Sequence, residues 1–243
     1  MNLLEFENVI KRYRGKEVLS GVSFSIKSGE ILGLVGRSGG GKSTLLKILI
    51  GMIRADGGKI LFEGKNTLKK ENYLKKNTGF ATQENMLFDE LTIRENSFYF
   101  GSLYGMKKRT IKERLKELLD LLKLNGFENT QINQLSGGMA KRANLLVSLI
   151  HNPKLLILDE PTVGLDPALR NSLWAYIQKI NKAGTTILVT SHLLEEIEEN
   201  CNRIAILKNG VITSAASVEE YKNRYGKHKS FNKIFQEILY EDI

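Results

Sequence analysis

The residues Gly36-Arg37-Ser38-Gly39-Gly40-Gly41-Lys42-Ser43-Thr44 have the types and spacing to hold a chain of phosphates. Glycines let successive backbone N–H groups turn inward around an anion. The start of a following helix adds partial positive charge. Lys42 has the reach for β- and γ-phosphates, and the Ser43 hydroxyl suits Mg²⁺. A plain Gly-rich turn joining strand to helix is the blander reading. The four fixed positions Gly36, Gly41, Lys42 and Ser43 are all present, which favours the phosphate site. Such a loop needs a second, acidic element. Asp159-Glu160 follows the apolar run Leu155-Leu156-Ile157-Leu158. A carboxylate at the C-terminal end of a buried strand sits where ligands bind in open α/β sheets. Asp159 would hold Mg²⁺ through water, and Glu160 would polarise an attacking water as general base. An acidic turn after a strand is the alternative.

These residues need elements to position them. An apolar run, Ile31-Leu32-Gly33-Leu34-Val35, precedes the loop and a helical stretch, 45–50, follows it. Residues 3–10 read as an edge strand, 11–16 as a basic turn, and 18–26 as a second strand with Val22, Phe24 and Ile26 alternating. A short strand is expected at 59–62, a helix around 70–76 and a buried strand over 79–83. From Thr92 to about 151 the pattern is helical throughout. Its clearest part is 107–124, where Ile111, Leu115, Leu118, Leu119 and Leu122 share one face. Strands return at 154–158 and 185–190, with a helix at Pro167–Lys182 between them and another at 193–200. Arg203 to Leu207 and Val211 to Thr213 flank Asn209-Gly210, a hairpin signal. Strands alternating with helices predict an α/β protein with a mainly parallel sheet.

Bulk properties narrow the class. The chain has 243 residues, 42% of them apolar, enough for a real core. The net charge of +9 fits nucleic acid, anionic lipid or a highly charged nucleotide equally. Cys201 is the sole cysteine, so no intramolecular disulfide forms; it reads as a small filler on a helix. The first residues do not resemble a secretory signal, and no apolar run reaches the ~18 residues of a membrane helix. A cytosolic protein is the expectation.

With these residues in place, the chain resembles the ATP-binding subunits of ABC transporters. Leu135-Ser136-Gly137-Gly138-Met139 is similar to that family's signature motif, before a helix expected over 139–151. The resemblance implies that Ser136, Gly137 and Gly138 cap the γ-phosphate of ATP bound to an opposite subunit. The common form ends in Gln; Met139 resembles a variant of exporter-type members. Gln83 sits where the family's glutamine contacts Mg²⁺ and the attacking water, with Thr82 replacing the usual Pro. Gly164-Leu165-Asp166 resembles the loop that crosses the dimer interface. His192 resembles the histidine that bonds the γ-phosphate, and Tyr13 the aromatic that stacks on adenine. Taken singly, each of Gln83, His192 and Tyr13 reads more readily as structural, and Tyr13 would equally pack the edge strand; order and spacing around the phosphate loop carry the resemblance.

What the resemblance implies is an α/β, P-loop NTPase core of the RecA-like kind. An N-terminal antiparallel β subdomain and a helical insertion at about 85–151 would complete an ATPase domain over 1–215, with a helical extension at 216–243. It implies an ATP hydrolase using ATP and Mg²⁺. Two copies would close head-to-tail as a homodimer, joined to a separate integral membrane permease at the cytoplasmic face of the membrane. The permease would dock near 84–105. There Phe98 to Met106 resembles a segment of ABC-2 type exporters, although ordinary packing explains it as well. The rival is an ABC ATPase acting on nucleic acid or ribosomes. Its basic residues would be massed; here Lys69-Lys70, Lys75-Lys76 and Lys107-Lys108-Arg109 lie apart, so no nucleic-acid partner is expected. The apolar stripe Phe231, Ile234, Phe235, Ile238, Leu239 is expected to pack on its own domain rather than on a second subunit.

Overall fold

The computed structural model describes residues 1–67, 71–82 and 86–240. They form two compact units, Met1–Lys75 with Thr186–Ile243, and Lys76–Thr185.

The first unit begins with a long antiparallel hairpin, β1 (Asn2–Tyr13) and β2 (Lys16–Lys27). Both strands run further than the sequence predicts. The turn is only Arg14-Gly15, both at positive φ (48° and 83°), the conformation that matches the twist of flanking strands. Cross-strand pairing of Arg12 with Glu17 (2.8 Å) supports the polar end. The alternation in β1 looked weak because the strand is bulged: Leu4 and Phe6 point inward, the register shifts between Phe6 and Val9, and Val9 then falls inward too. β4 (Gly57–Phe62) and β5 (Lys65–Asn66) complete an antiparallel sheet in the order β2-β1-β4-β5.

A second layer of strands in this unit holds the phosphate loop. β3 (Ile31–Gly36) is buried along its whole length, as its unbroken apolar run requires. It pairs in parallel with β8 (Thr186–Thr190) and with β9 (Arg203–Lys208), and β10 (Val211–Ala216) returns antiparallel on β9. Helix α1 (Lys42–Leu49) follows the loop, and the short α2 (Glu71–Lys76) lies at the boundary of the units. Glu30, at the foot of β3, is buried and accepts from Arg203 Nη1 (3.0 Å) and the Lys27 amide (2.6 Å), which ties β2, β3 and β9 together. The last helices are α7 (Leu194–Asn200), α8 (Val218–Tyr225) and α9 (Phe231–Tyr240). Phe231, Ile234, Ile238 and Leu239 are buried within this unit, as the apolar stripe predicts. Cys201 lies just past α7 rather than within it. Its Sγ comes within 3.1 Å of where a Cβ on Gly33 would sit, so it fills space against β3. Burial pushes its thiol pKa up, which keeps it inert.

The second unit pairs β6 (Thr78–Ala81) in parallel with β7 (Leu155–Asp159). Its helices are α3 (Ile93–Leu103), α4 (Lys108–Leu121), α5 (Gly137–Ser148) and α6 (Pro167–Lys182). Apart from an isolated bridge between Thr92 and Gln131, the stretch from 92 to 151 is helix and turn. Thr92 caps α3 in a reciprocal box with Glu95, and the hydrogen bonds from Thr92 hold the Glu95 carboxyl below its usual pKa. Gly101 lets α3 approach α4: a Cβ there would stand 2.8 Å from Ile111. Arg142 of α5 donates to the Leu122 and Lys123 carbonyls (2.9 and 3.0 Å), closing the end of α4 with a cation where helix ends favour one.

Candidate nucleotide site

Three segments of the first unit converge on one cleft of about 470 Å³. Arg37 to Gly40 of the phosphate loop form one wall; Lys16 to Val18 and Leu207 to Gly210 form the others. The loop has the geometry that anion binding demands. Gly39 and Gly41 have φ of 73° and 105°, a region closed to most side chains. Gly36 has ordinary backbone angles, yet a Cβ on it would lie 2.4 Å from the Leu207 carbonyl. Lys42 is only 7% exposed, and its Nζ donates to the carbonyls of Gly36 (2.8 Å) and Arg37 (3.1 Å), bracing the loop from inside. Ser43 and Thr44 open α1, where N–H groups lack intrahelical partners.

The cleft also contains groups the sequence did not single out. Lys16 and Lys208 add positive charge to its rim. The Asn209-Gly210 turn, read from sequence only as a hairpin, closes one side. The Gly210 carbonyl accepts from the Ser20 amide (2.8 Å), which holds this turn against β2, a pairing across 190 residues that no local pattern marks. Glu17 also lines the cleft; the Ser20 hydroxyl and the Arg12 guanidinium lower its pKa and keep it ionised, and its pairing with Arg12 offsets the negative charge. Tyr13 is 45% exposed at the tip of β1, opposite Lys16 in register, with Lys11 Nζ 5.5 Å from its ring centroid. It borders the cleft's Lys16 wall without lining the cleft itself. His192 lies two residues beyond β8. Because β8 runs parallel to β3, with Thr190 opposite Leu34, the imidazole leaves the same strand ends as the phosphate loop. The Ser191 hydroxyl accepts from the Leu193 amide (3.0 Å) and fixes this turn.

The second unit carries the remaining expected residues. Asp159 ends β7, and Leu158 pairs with Ala81 of β6, so Asp159 and Thr82 leave the same end of the strand pair. Gln83 lies outside the described residues. Glu160 has a left-handed backbone, φ 51°, uncommon for a residue with a Cβ. Nothing in the sequence announced it. Ser136 caps α5, which starts two residues before the expected position; its Oγ accepts from the Met139 amide (3.3 Å). Ser136 and Gly137 are exposed, and a Cβ on Gly137 would meet open space. Gly138 is buried against Leu169, 3.0 Å from a would-be Cβ. Asp166 caps α6, accepting from the Ala168 and Leu169 amides at 3.0 Å.

A buried parallel strand, a glycine loop braced by a buried lysine, and a helix start define a nucleoside triphosphate-hydrolysing domain. The chain belongs to the ABC transporter family: residues 19–163 match the family model described as ABC transporter. It is 37% identical over 224 residues to the linearmycin resistance ATP-binding protein LnrL of Bacillus subtilis (strain 168), covering 92% of this chain and 72% of that protein. It is 39% identical over 207 residues to the Nod factor export ATP-binding protein I of Rhizobium sp. (strain N33), covering 85% and 68%. Its fold matches a solved ATP binding subunit of an ABC transporter, with a TM-score of 0.88 at 26% identity over 97% of this chain and 99% of that one. It also matches cbiO1 of Clostridium perfringens, part of the ABC transporter complex cbiONQ, with a TM-score of 0.82 at 28% identity over 90% of each. The protein is thus an ATP-binding, ATP-hydrolysing subunit of a transport system. No helix among the described residues is long and apolar enough to cross a membrane.

Proposed function

We propose that this subunit powers export through a separate membrane permease, as one half of a head-to-tail pair that closes on two ATP molecules. The observation that carries the reading is the braced loop at Gly36–Thr44, with Lys42 already aimed along it. The loop amides and Lys42 bind the β- and γ-phosphates, and Tyr13 offers a ring to the adenine. Ser43, Asp159 and Gln83 present hydroxyl, carboxylate and amide oxygens, the hard donors Mg²⁺ takes together with phosphate oxygens. When bound, Mg²⁺ neutralises charge on the phosphates. Glu160 accepts a proton from the attacking water, and His192 steadies the γ-phosphate. The exposed start of α5 at Ser136 and Gly137 offers amide donors to a phosphate held by another copy. ATP then bridges two chains, and its hydrolysis releases them, a ligand-biased two-state element.

Export is supported by the names of the two relatives, one a resistance protein and one an exporter component. Docking of a permease at the cytoplasmic side of the membrane is supported by a half-exposed aromatic group. Phe88 and Tyr99 pack edge to face (4.8 Å), with Leu103 exposed one turn along α3. Buried Asn96 holds this corner: its Nδ2 donates to the Phe88 and Thr92 carbonyls (3.1 and 3.0 Å), and its Oδ1 accepts from the Phe88 amide (2.9 Å). The test is Glu160→Gln, which should retain ATP and accumulate a stable dimer while turnover stops. Wild-type hydrolysis in that variant would sink the assignment of the base.

A further inference from the structure

Arg37 is gripped from two sides. Its carbonyl accepts from Lys42 Nζ inside the loop (3.1 Å). Its guanidinium Nη2 donates to the Leu239 carbonyl in the last turn of α9 (3.1 Å), and its Cζ lies 4.1 Å from the centroid of the Tyr240 ring. The chemistry is complementary. The final carbonyls of a helix have no intrahelical partner and carry partial negative charge, so a guanidinium is a favoured neighbour. A cation over a tyrosine face adds to it. The helix that offers these groups is itself firmly placed. Phe231 and Ile234 are fully buried, and Phe231 packs edge-on against Tyr221 (5.5 Å), whose hydroxyl donates to the Ile204 carbonyl of β9 (3.0 Å). Lys229 pairs with Glu237 (2.6 Å) across the turn that leads into α9.

We propose that α9 is a positioning element of the nucleotide loop: through the Leu239 carbonyl and the Tyr240 ring it clasps Arg37 and thereby sets nucleotide affinity. This rests on the reading of Gly36–Thr44 as the phosphate loop. The Lys42 ammonium has three N–H donors, and a phosphate draws it toward the ligand and away from the Gly36 and Arg37 carbonyls it braces. The internal brace then weakens; the Gly40 amide keeps the Arg37 carbonyl (3.0 Å), and the clasp by α9 holds the Arg37 side chain. Holding the loop in its binding shape beforehand lowers the ordering cost of binding. Arg37 is thus a positioning residue, and its side chain is committed to the helix.

The experiment measures ADP affinity by titration calorimetry on the full chain, with KM and kcat for ATP alongside. Arg37→Ala and Tyr240→Ala should each weaken ADP by about three- to tenfold, the size expected of an exposed cation–π contact with its hydrogen bond. KM should rise with them while kcat holds. Tyr240→Phe, which keeps the ring, should bind like wild type, and the double variant should be no weaker than Arg37→Ala alone. Tyr240 is 63% exposed, so its truncation leaves the nucleotide-free unfolding temperature in place. Lys42→Ala is the reference: it should abolish ADP binding. If it does and the Arg37 and Tyr240 variants bind normally, or their effects simply add, the clasp is refuted while the loop reading stands. If Lys42→Ala binds ADP like wild type, both fall.

Discussion

Gly36 offers the sharpest test of how the nucleotide loop is built. Its backbone angles suit any residue, so Gly36→Ala probes space alone. The added methyl would lie 2.4 Å from the Leu207 carbonyl oxygen and 3.3 Å from the Leu207 Cβ. A carbon–oxygen contact settles at about 3.3 Å, so β3 and β9 must part by about 0.9 Å where they pair. Neither atom is the end of a flexible side chain; Leu207 is the register partner of Gly36 in a buried parallel ladder. Overpacking of this kind costs about 1–3 kcal/mol. At about 2–4 °C of melting temperature for each kcal/mol in a chain of this size, the loss is readily seen by circular dichroism. Because Leu207 also walls the cleft, the same displacement alters the site, and ADP affinity should drop as well. Gly39→Ala is the matched comparison. Nothing lies within 4 Å of its would-be Cβ, but its φ is 73°, so only a left-handed penalty of about 1–2 kcal/mol applies. Gly39→Asn should recover part of that loss, and Gly36→Asn none. Wild-type melting and wild-type ADP affinity in Gly36→Ala would refute the close strand approach as the reason for this glycine.

A mixing experiment tests whether the site is shared between chains. Lys42→Ala and Ser136→Ala should each be inactive, yet an equimolar mixture should hydrolyse ATP, because one of the two sites in a mixed pair regains both residues; no gain on mixing would count against the head-to-tail pair. His151 predicts an acid-sensitive stability. It is mostly buried, stacks on Tyr104 at 3.6 Å and contacts the Thr78 carbonyl through Nε2 (3.1 Å), and burial lowers its pKa from 6.5 to about 4. The unfolded chain therefore binds the proton first, and stability should fall as pH drops from about 6.5 toward 4. Urea unfolding of wild type and His151→Phe at pH 7.5 and 5 checks this: the difference between the two pH values should shrink in the variant.

The parts of the site that were legible in the sequence are those whose chemistry is local. Gly36 to Thr44 carries its own strand, turn and helix start. The helix Pro167–Lys182 matched residue for residue, since Asp166 and Pro167 both mark a helix entrance. The turn expected over 11–16 narrows to Arg14-Gly15, because a basic run has no alternation to read; the strands persist on either side through the cross-strand Arg12–Glu17 ion pair and a turn that puts Arg14 at positive φ. Helix α5 starts early because Ser136 caps it, so Gly137 and Gly138 fall in a first turn where poor helix formers are tolerated. It also ends early, leaving His151 to stack on Tyr104. The grip of α9 on Arg37 joins residues 202 positions apart, and no local pattern encodes it.

Glu160 has a consequence for how this chain can be improved or worn down. A left-handed backbone under a side chain costs about 1–2 kcal/mol, and glycine would occupy φ 51° freely. Glycine at this position would remove the backbone penalty together with the carboxylate that the proposed hydrolytic step uses. On the proposed role, this is a position where the chain carries backbone strain for the sake of the work it does. A designer seeking a hardier chain should leave this strain in place and stiffen the molecule elsewhere.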